Sequence, residues 1–396
     1  MGGIVNGPQG LRFECGKIRV MEAVASQPSA PSRPVWDVFC RVIDNLGDIG
    51  VCWRFCLNLA LRGQTVRLWI DEPGALAWMV PGALEGRVPH VQVQHWTEPL
   101  PPGSVGAHRP ADVWVEAFAC DPASEWLDWL VHRVGADFPQ PVWLNLEYMS
   151  AESYVERCHQ LPSPIFTGPL AGLTKWFFYP GFTQATGGLL REPDLLERQK
   201  RFTAASWLQA NQLPWGPDTR RISLFCYEPT PLAQVIQEVA ADPVASNWLV
   251  THGRAWKAVE NVSVDTLTPA HLTPLHALTQ VDFDHLLWAS DLNFVRGEDS
   301  LVRALWAGKP FVWHIYPQHD NAHHAKLEAF LDWLQAPDSL RRFHRIWNGV
   351  TPVQGPVWPG WAEVDGWRSC SMAARERLLG QPDLVTQLLD FVQKKR

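Results

Sequence analysis

The chain has no C-x-x-C pair, no H-E-x-x-H segment, no internal repeat and no run of about 18 apolar residues. The missing apolar run excludes a membrane-spanning helix. Its eight cysteines form no framework: Cys40, Cys52, Cys56, Cys120, Cys158, Cys226 and Cys370 sit inside apolar stretches. They read as reduced, buried thiols of a cytoplasmic protein, and the Cys52/Cys56 spacing as packing on one helix. A basic excess is also missing. The net charge of -7 argues against a broad nucleic-acid footprint and suits a basic partner or a locally cationic substrate. Charged residues are few at 19%, while 46% are hydrophobic, so the chain reads as globular. Its 22 tryptophans are expected in cores or groove walls.

Taken in order, the chain reads as α/β. Residues 1–34 are rich in Gly, Ser and Pro and lack the apolar core of a signal peptide. Two readings stay open for them, a start at Met21 or a disordered extension. Order is expected from Val35. VWDVFCRVI (35–43) is a strand, DNLGDIG (44–50) a glycine-bearing loop, 51–62 a helix stopped at Gly63, and TVRLWID (65–71) the next strand. DVWVEAF (112–118) and PVWLNLEYMS (141–150) are further strands, joined through a helix near 123–133. The stretch 151–205 carries paired glycines and aromatics and reads as loops. A second α/β pattern follows: strands RISLFCYE (221–228) and NWLVTHG (247–253), with helices over 231–241 and 283–290. Four segments are therefore expected: an extension 1–34, domains 35–205 and 206–370, and a helix 371–396 that returns to the first domain.

The second domain centres on DLNFVRGEDSLVRALWAGKPFVWHIYPQHDNAHHAK (291–326). Leu292 to Val295 is a buried strand, Arg296-Gly297-Glu298-Asp299-Ser300 a loop, and Leu301, Ala304 and Leu305 one face of a helix. Asp299 or Ser300 is the expected N-cap and Gly308 the expected stop. PFVWHIYP is the next strand, and a helix is expected over about 320–334. Polar groups at the carboxyl end of a strand in an open α/β sheet form ligand sites. Helix-end amides there hold phosphate, and Arg296 adds a forked cation. The alternative is a capped helix with a surface salt bridge. Asp44 and Asp48 sit at the carboxyl end of the first strand, where paired carboxylates act as a base or hold a cation; the alternative is an Asx-turn plus a helix cap. His314, His319, His323 and His324 lack a metal-site pattern and read as surface or capping residues. Asp282-Phe283-Asp284 has the form of a D-x-D metal motif, but it opens a helix, where acids are favoured by the dipole.

DNLGDIGVCWR, SLFCYE, TQVDFD, PGFTQATGGLLRE and above all RGEDSLVRALWAGKPFVWHIYPQ resemble the bacterial protein-arginine rhamnosyltransferases that modify translation elongation factor P. The resemblance runs from Val35 to the C-terminus. It implies a GT-B fold, two Rossmann-like domains facing across a cleft. The domain 35–205 would bind the acceptor and 206–370 the nucleotide sugar. It further implies an inverting transfer from dTDP-β-L-rhamnose to one arginine of elongation factor P. With Arg296 and helix amides to meet the diphosphate, no metal or cofactor is expected, and charge and hydropathy leave no expected nucleic-acid or membrane partner. Residues alone reach only a two-domain α/β protein with a phosphate-friendly loop facing a carboxylate loop. Two other functions stay open: a GT-B transferase acting on a glycan or small molecule, and a non-catalytic nucleotide-sugar binder.

By the same resemblance, Arg296, Ser300 and Tyr227 hold the diphosphate with Gly297 and Asp299 beside them. Phe283 stacks on thymine, Gln280 and Phe225 border it, and Glu298 fixes the sugar. Asp48 engages the acceptor arginine as base, with Asp44 in support. One departure concerns Leu275-His276-Ala277-Leu278, where similar proteins carry another aromatic just before the Gln280 position.

Overall fold

A computed structural model describes residues 33–43, 46–100, 103, 109–133, 138–262, 272–318 and 320–396. The apolar runs became parallel strands covered by helices, the setting in which a strand needs no polar face. The first sheet has the order β3-β2-β1-β4-β5-β7-β6. Its strands are β1 Val35–Cys40, β2 Thr65–Ile70, β3 Val91–His95, β4 Val113–Ala117, β5 Val142–Leu146, β6 Pro162–Pro164 and β7 Thr174–Phe178. All pair in parallel except the edge strand β6, which runs antiparallel to β7. The second sheet, order β10-β9-β8-β11-β12, is parallel throughout. It contains β8 Arg220–Leu224, β9 Ser246–Val250, β10 Leu272–Pro274, β11 Leu292–Arg296 and β12 Phe311–His314.

Several expected boundaries move. The helix placed at 51–62 runs Gly47–Leu61, so Asp48 lies in its first turn and not in a loop. There is likewise no RGEDS loop: β11 passes directly into the helix Gly297–Ala307. Gly297 makes that junction at φ +62°, a left-handed conformation that glycine adopts freely. The N-cap is Arg296, not Asp299 or Ser300, and Gly308 ends the helix in the left-handed conformation. The region 151–205, expected as loops, holds β7 in the interior of the sheet, and the edge of the sheet past β2 holds the unexpected β3. The helix expected at 371–396 is two helices, Trp361–Leu379 and Leu384–Lys395, broken at Gly380-Gln381-Pro382.

That break carries the chain from one core to the other. Trp361, Val364, Trp367, Ala374 and Leu378 pack with the second sheet, whereas Leu384, Val385, Leu388, Phe391 and Val392 pack under the first. Burial of each large apolar chain contributes about 1.5–3 kcal/mol, so the final helix is a structural part of the first half. Arg62 fixes its start through two 2.8 Å hydrogen bonds to Asp383. Tryptophans fill both cores: Trp36, Trp53, Trp114 and Trp126 in the first half, Trp248, Trp313, Trp347 and Trp367 in the second.

Acids buried inside the first sheet have dedicated partners. Asp37 in β1 accepts from Arg67 Nε and Nη2 at 2.6 Å each and from Trp69 Nε1 at 2.9 Å. Glu116 in β4 accepts from Lys175 and from Trp143. Burial pushes the Glu116 carboxyl up to about 7 despite the opposing Lys175 charge.

Candidate active site

The helices Gly47–Leu61 and Gly297–Ala307 start at the carboxyl edges of β1 and β11 and pack against each other across the middle of the molecule. Two cavities open around their first turns, of about 320 Å³ and 260 Å³, and Gly47 lines both.

The larger cavity has Arg296 in its wall. The side chain is 6% exposed, with its guanidinium carbon 4.4 Å from the Phe225 ring centroid and 4.8 Å from that of Tyr227. Nη1 donates to the Cys226 carbonyl at 3.1 Å. This contradicts the alternative of a surface salt bridge at this position. The guanidinium is held in place before any ligand arrives, by ring faces and a carbonyl. The Ser300 hydroxyl staples the turn, accepting from the Arg296 amide at 2.9 Å and donating to the Arg296 carbonyl. First-turn amides of this helix carry the positive end of its dipole to the cleft. Phe225, Gln280, Phe283, Asp299 and Ser300 line the same cavity, with Phe283 edge-on to Phe225 at 5.3 Å. His276, Ala277 and Leu278 line it too, and Trp78 of the first half brings an aromatic where the local stretch has none. Tyr227 lines neither cavity. It lies 2% exposed behind Arg296, against His314 and Tyr316.

Asp48 and Glu298 face the smaller cavity, and so does Gly297. Asp48 is 3% exposed, and its N-cap neighbour Leu46 makes no side-chain cap. Asp48 Oδ2 accepts from the Ile43 amide at 2.8 Å and Oδ1 from the Tyr148 hydroxyl at 3.1 Å. Tyr148 is stacked on Phe118 at 4.3 Å, and burial together with the Asp48 and Glu298 charges raises its pKa, so the phenol stays a donor. Glu298 accepts from the Met149 amide at 3.0 Å and pairs with Lys326. Burial raises its pKa, while Lys326 and the Met149 amide oppose the rise. Asp44 lies outside the described residues, as does His319.

The two halves are joined beside these cavities by a charge network. Arg54 sits 3.2 Å from Asp299, 3.3 Å from Glu192 and 3.2 Å from Asp284, and donates to the Gln280 carbonyl at 3.1 Å. Arg303 holds Asp284 by two 2.7 Å bonds and Glu192 at 2.8 Å. Burial alone would raise Glu192; Arg303 and Arg54 outweigh it and hold the carboxyl below the ordinary range. Gln280 Nε2 donates across to the Gly50 carbonyl at 3.0 Å. The D-x-D pair diverges, as residues two apart on a helix must. Asp284 turns to the arginines, while Asp282 accepts from Thr279 and Trp207. His314 is buried, not on the surface, and burial holds its imidazole down to about 3. His323 is neither on the surface nor a cap: it is buried in the first turn of Ala322–Leu334 and accepts from the Gln318 amide, which precedes that helix.

Sequence reasoning missed Arg54, Glu192, Arg303, Tyr148, Lys326 and Trp78. Only the arginines carried a signal: Arg54 stands between Trp53 and Phe55, and Arg303 inside LVRALWA, each a charge on an otherwise apolar helix face.

Residues 36–393 match the family described as elongation factor P (EF-P) rhamnosyltransferase EarP. The chain belongs to this family. Protein-arginine rhamnosyltransferases of Pseudomonas putida and Pseudomonas aeruginosa are 41% and 39% identical to it, over 91% and 90% of this chain and 98% of each relative. A solved structure from work on EarP-mediated arginine glycosylation of elongation factor EF-P is 28% identical, covers 92% of this chain and 100% of its own, and superposes with a TM-score of 0.57. An Anabaena protein, HepE, solved with UDP-glucose, shares the fold at 11% identity, covering 91% and 99% of the two chains with a TM-score of 0.51. The family's architecture is GT-B, and the two parallel sheets here are its two halves.

Proposed function

We propose that the protein moves L-rhamnose from dTDP-β-L-rhamnose to an arginine side chain of translation elongation factor P, with inversion at the sugar carbon and without a metal. The observation that carries this reading is the pair of cavities meeting at Gly47, one walled by Arg296 and helix amides, the other by Asp48 and Glu298.

The larger cavity suits the donor. Phe283 and Phe225 offer rings to the base, with Gln280 at its border. Arg296, Ser300 and the first-turn amides meet the diphosphate, backed by Tyr227, and Asp299 is held beside them by Arg54. The smaller cavity suits a guanidinium. Arginine stays protonated at neutral pH and its nitrogens are delocalised, so it is a poor nucleophile without help. Asp48, fixed by Ile43 and Tyr148, orients one nitrogen and takes its proton as the bond to the sugar carbon forms. Glu298 lines the same cavity and steadies sugar and guanidinium. Attack on the face opposite the nucleotide inverts the carbon, and the departing dTDP takes the bonding pair. Arg296 and the helix dipole stabilise its growing charge, the role a metal would otherwise fill. Asp44 would support Asp48.

Intact-mass analysis of elongation factor P after incubation with the protein and dTDP-rhamnose tests the reading. A gain of one deoxyhexose, lost when the acceptor arginine is replaced by lysine, is expected. An unchanged mass, or transfer to free glycans instead, would overturn it.

A further inference from the structure

Glu298 lies where the two halves meet. Its Oε2 accepts from the Met149 amide of the first half at 3.0 Å, and its Oε1 pairs with Nζ of Lys326 on the helix Ala322–Leu334 of the second. Glu298 is 19% exposed and Lys326 21%, so the pair is only lightly screened by water. Other titratable groups face Glu298 from the packed elements: Asp48 on Gly47–Leu61, Tyr148 after β5, and Tyr154 on the short helix Tyr154–Cys158. In the smaller cavity Asp48 is a second negative charge, the phenols are neutral, burial holds His323 toward its neutral form, and Lys326 carries the positive charge; Glu147 and Asp299 meet Glu298 at a separate small cavity, where Asp299 is paired with Arg54. The ammonium also lies 5.9 Å from the Tyr148 ring, whose hydroxyl donates to Asp48. Asp48, Tyr148, Glu298 and Lys326 together bound the smaller cavity.

Two carboxylates in one sparsely hydrated cavity do not both stay ionised without a counter-charge; one takes up a proton. Among the described residues, two carboxylates and one ammonium leave the cavity one negative charge, the complement of a single guanidinium. We propose that Lys326 is a positioning residue of the acceptor subsite: its ammonium keeps Glu298 ionised and aimed across the cleft, so that an entering guanidinium meets two carboxylates. This rests on the reading that the acceptor is an arginine side chain.

The test compares Lys326→Met, which keeps the stem and removes the charge, with Lys326→Arg, which keeps the charge. Infrared spectra of protein carrying isotope-labelled glutamate, with Glu298→Gln to assign the band, report the carboxyl directly and need no acceptor. At about pH 7 the Met variant should show a protonated Glu298 band absent from wild type and from the Arg variant. With elongation factor P and dTDP-rhamnose, single-turnover transfer by the Met variant should fall about tenfold or more and recover as pH rises and Glu298 ionises. Affinity for dTDP, which lacks the sugar that Glu298 steadies, should hold, because neither Lys326 nor Glu298 lines the larger cavity, and the Arg variant should restore the rate. A Met variant with Glu298 still ionised at neutral pH overturns the proposal, as does one with a protonated Glu298 and wild-type transfer. If the wild type transfers nothing to arginine, the functional reading falls, and the infrared result still decides what Lys326 does to Glu298.

Discussion

Replacing Tyr148 with phenylalanine removes one oxygen and leaves the ring stacked on Phe118 at 4.3 Å and 12°. The lost group is the hydroxyl that donates to Asp48 at 3.1 Å. A hydrogen bond to a charged partner is worth about 1.5–3 kcal/mol. Tyr148 is 37% exposed, so water replaces part of that bond, and about 1–2 kcal/mol remains as lost orientation of Asp48. Expressed in the chemical step, this is a fall of roughly 5- to 30-fold in single-turnover transfer. Tyr148 does not line the larger cavity, so the calorimetric affinity for dTDP should be unchanged. The ring contact survives, so thermal unfolding should move by no more than about 2 °C. A variant that transfers at the wild-type rate would refute the idea that this phenol sets Asp48. A variant whose loss lies in dTDP affinity would refute the division of the cleft into donor and acceptor cavities.

Arg296→Ala should lower dTDP affinity by about 10- to 100-fold and also lower the thermal midpoint, because the guanidinium is packed between two rings; calorimetry and thermal unfolding read the two effects, and unaltered affinity would remove Arg296 from the donor site. Arg54→Leu leaves Asp284, Glu192 and Asp299 short of a cation and should destabilise the fold by about 3–5 kcal/mol in denaturant unfolding, whereas a loss below about 1 kcal/mol would mean that Arg303 and Arg198 suffice without it. Glu116 titrates near 7 in the folded chain against an ordinary 4.5, so the folded state holds the extra proton between these values and stability falls as pH rises through them. Glu116→Gln should flatten that fall when unfolding is compared at about pH 5 and about pH 8, and an unchanged slope would assign it to another group. Chelator should leave transfer intact; activity lost in EDTA and restored by manganese would return Asp282 and Asp284 to consideration as metal ligands.

The alternating α/β order was legible because parallel strands buried on both faces are apolar runs, as in VWDVFC, TVRLWI and LNFVR. Strand β7 was not legible. Its TKWFF core is short and sits among glycines and prolines, and its place in the sheet comes from β5, well upstream. Helix starts were misplaced at both Gly47 and Gly297 for one reason: glycine reads as a loop signal, yet here it opens a helix against a strand end. In the site, Asp48, Arg296 and Glu298 stood out because they follow apolar strands. Their partners did not. Arg54 meets Asp284 across 230 residues, Tyr148 meets Asp48 across 100, and Met149 meets Glu298 across 149. No local pattern encodes such contacts; the Tyr148 contact exists only once β1 and β5 share a sheet, and the other two only once the two sheets face each other.

The division of labour between the halves is tested most directly at Asp48, which stands on the first half while Arg296, Ser300, Phe283 and Gln280 stand on the second. Asp48→Asn keeps the shape, and its amide oxygen can still accept from the Ile43 amide while its Nδ2 donates to the Tyr148 oxygen, but it cannot take a proton at neutral pH. Donor affinity and single-turnover rate should be measured on one preparation of folded variant. Affinity for dTDP-rhamnose should match wild type, with transfer to elongation factor P lowered at least about a hundredfold. Wild-type turnover by the folded Asp48→Asn protein would contradict it.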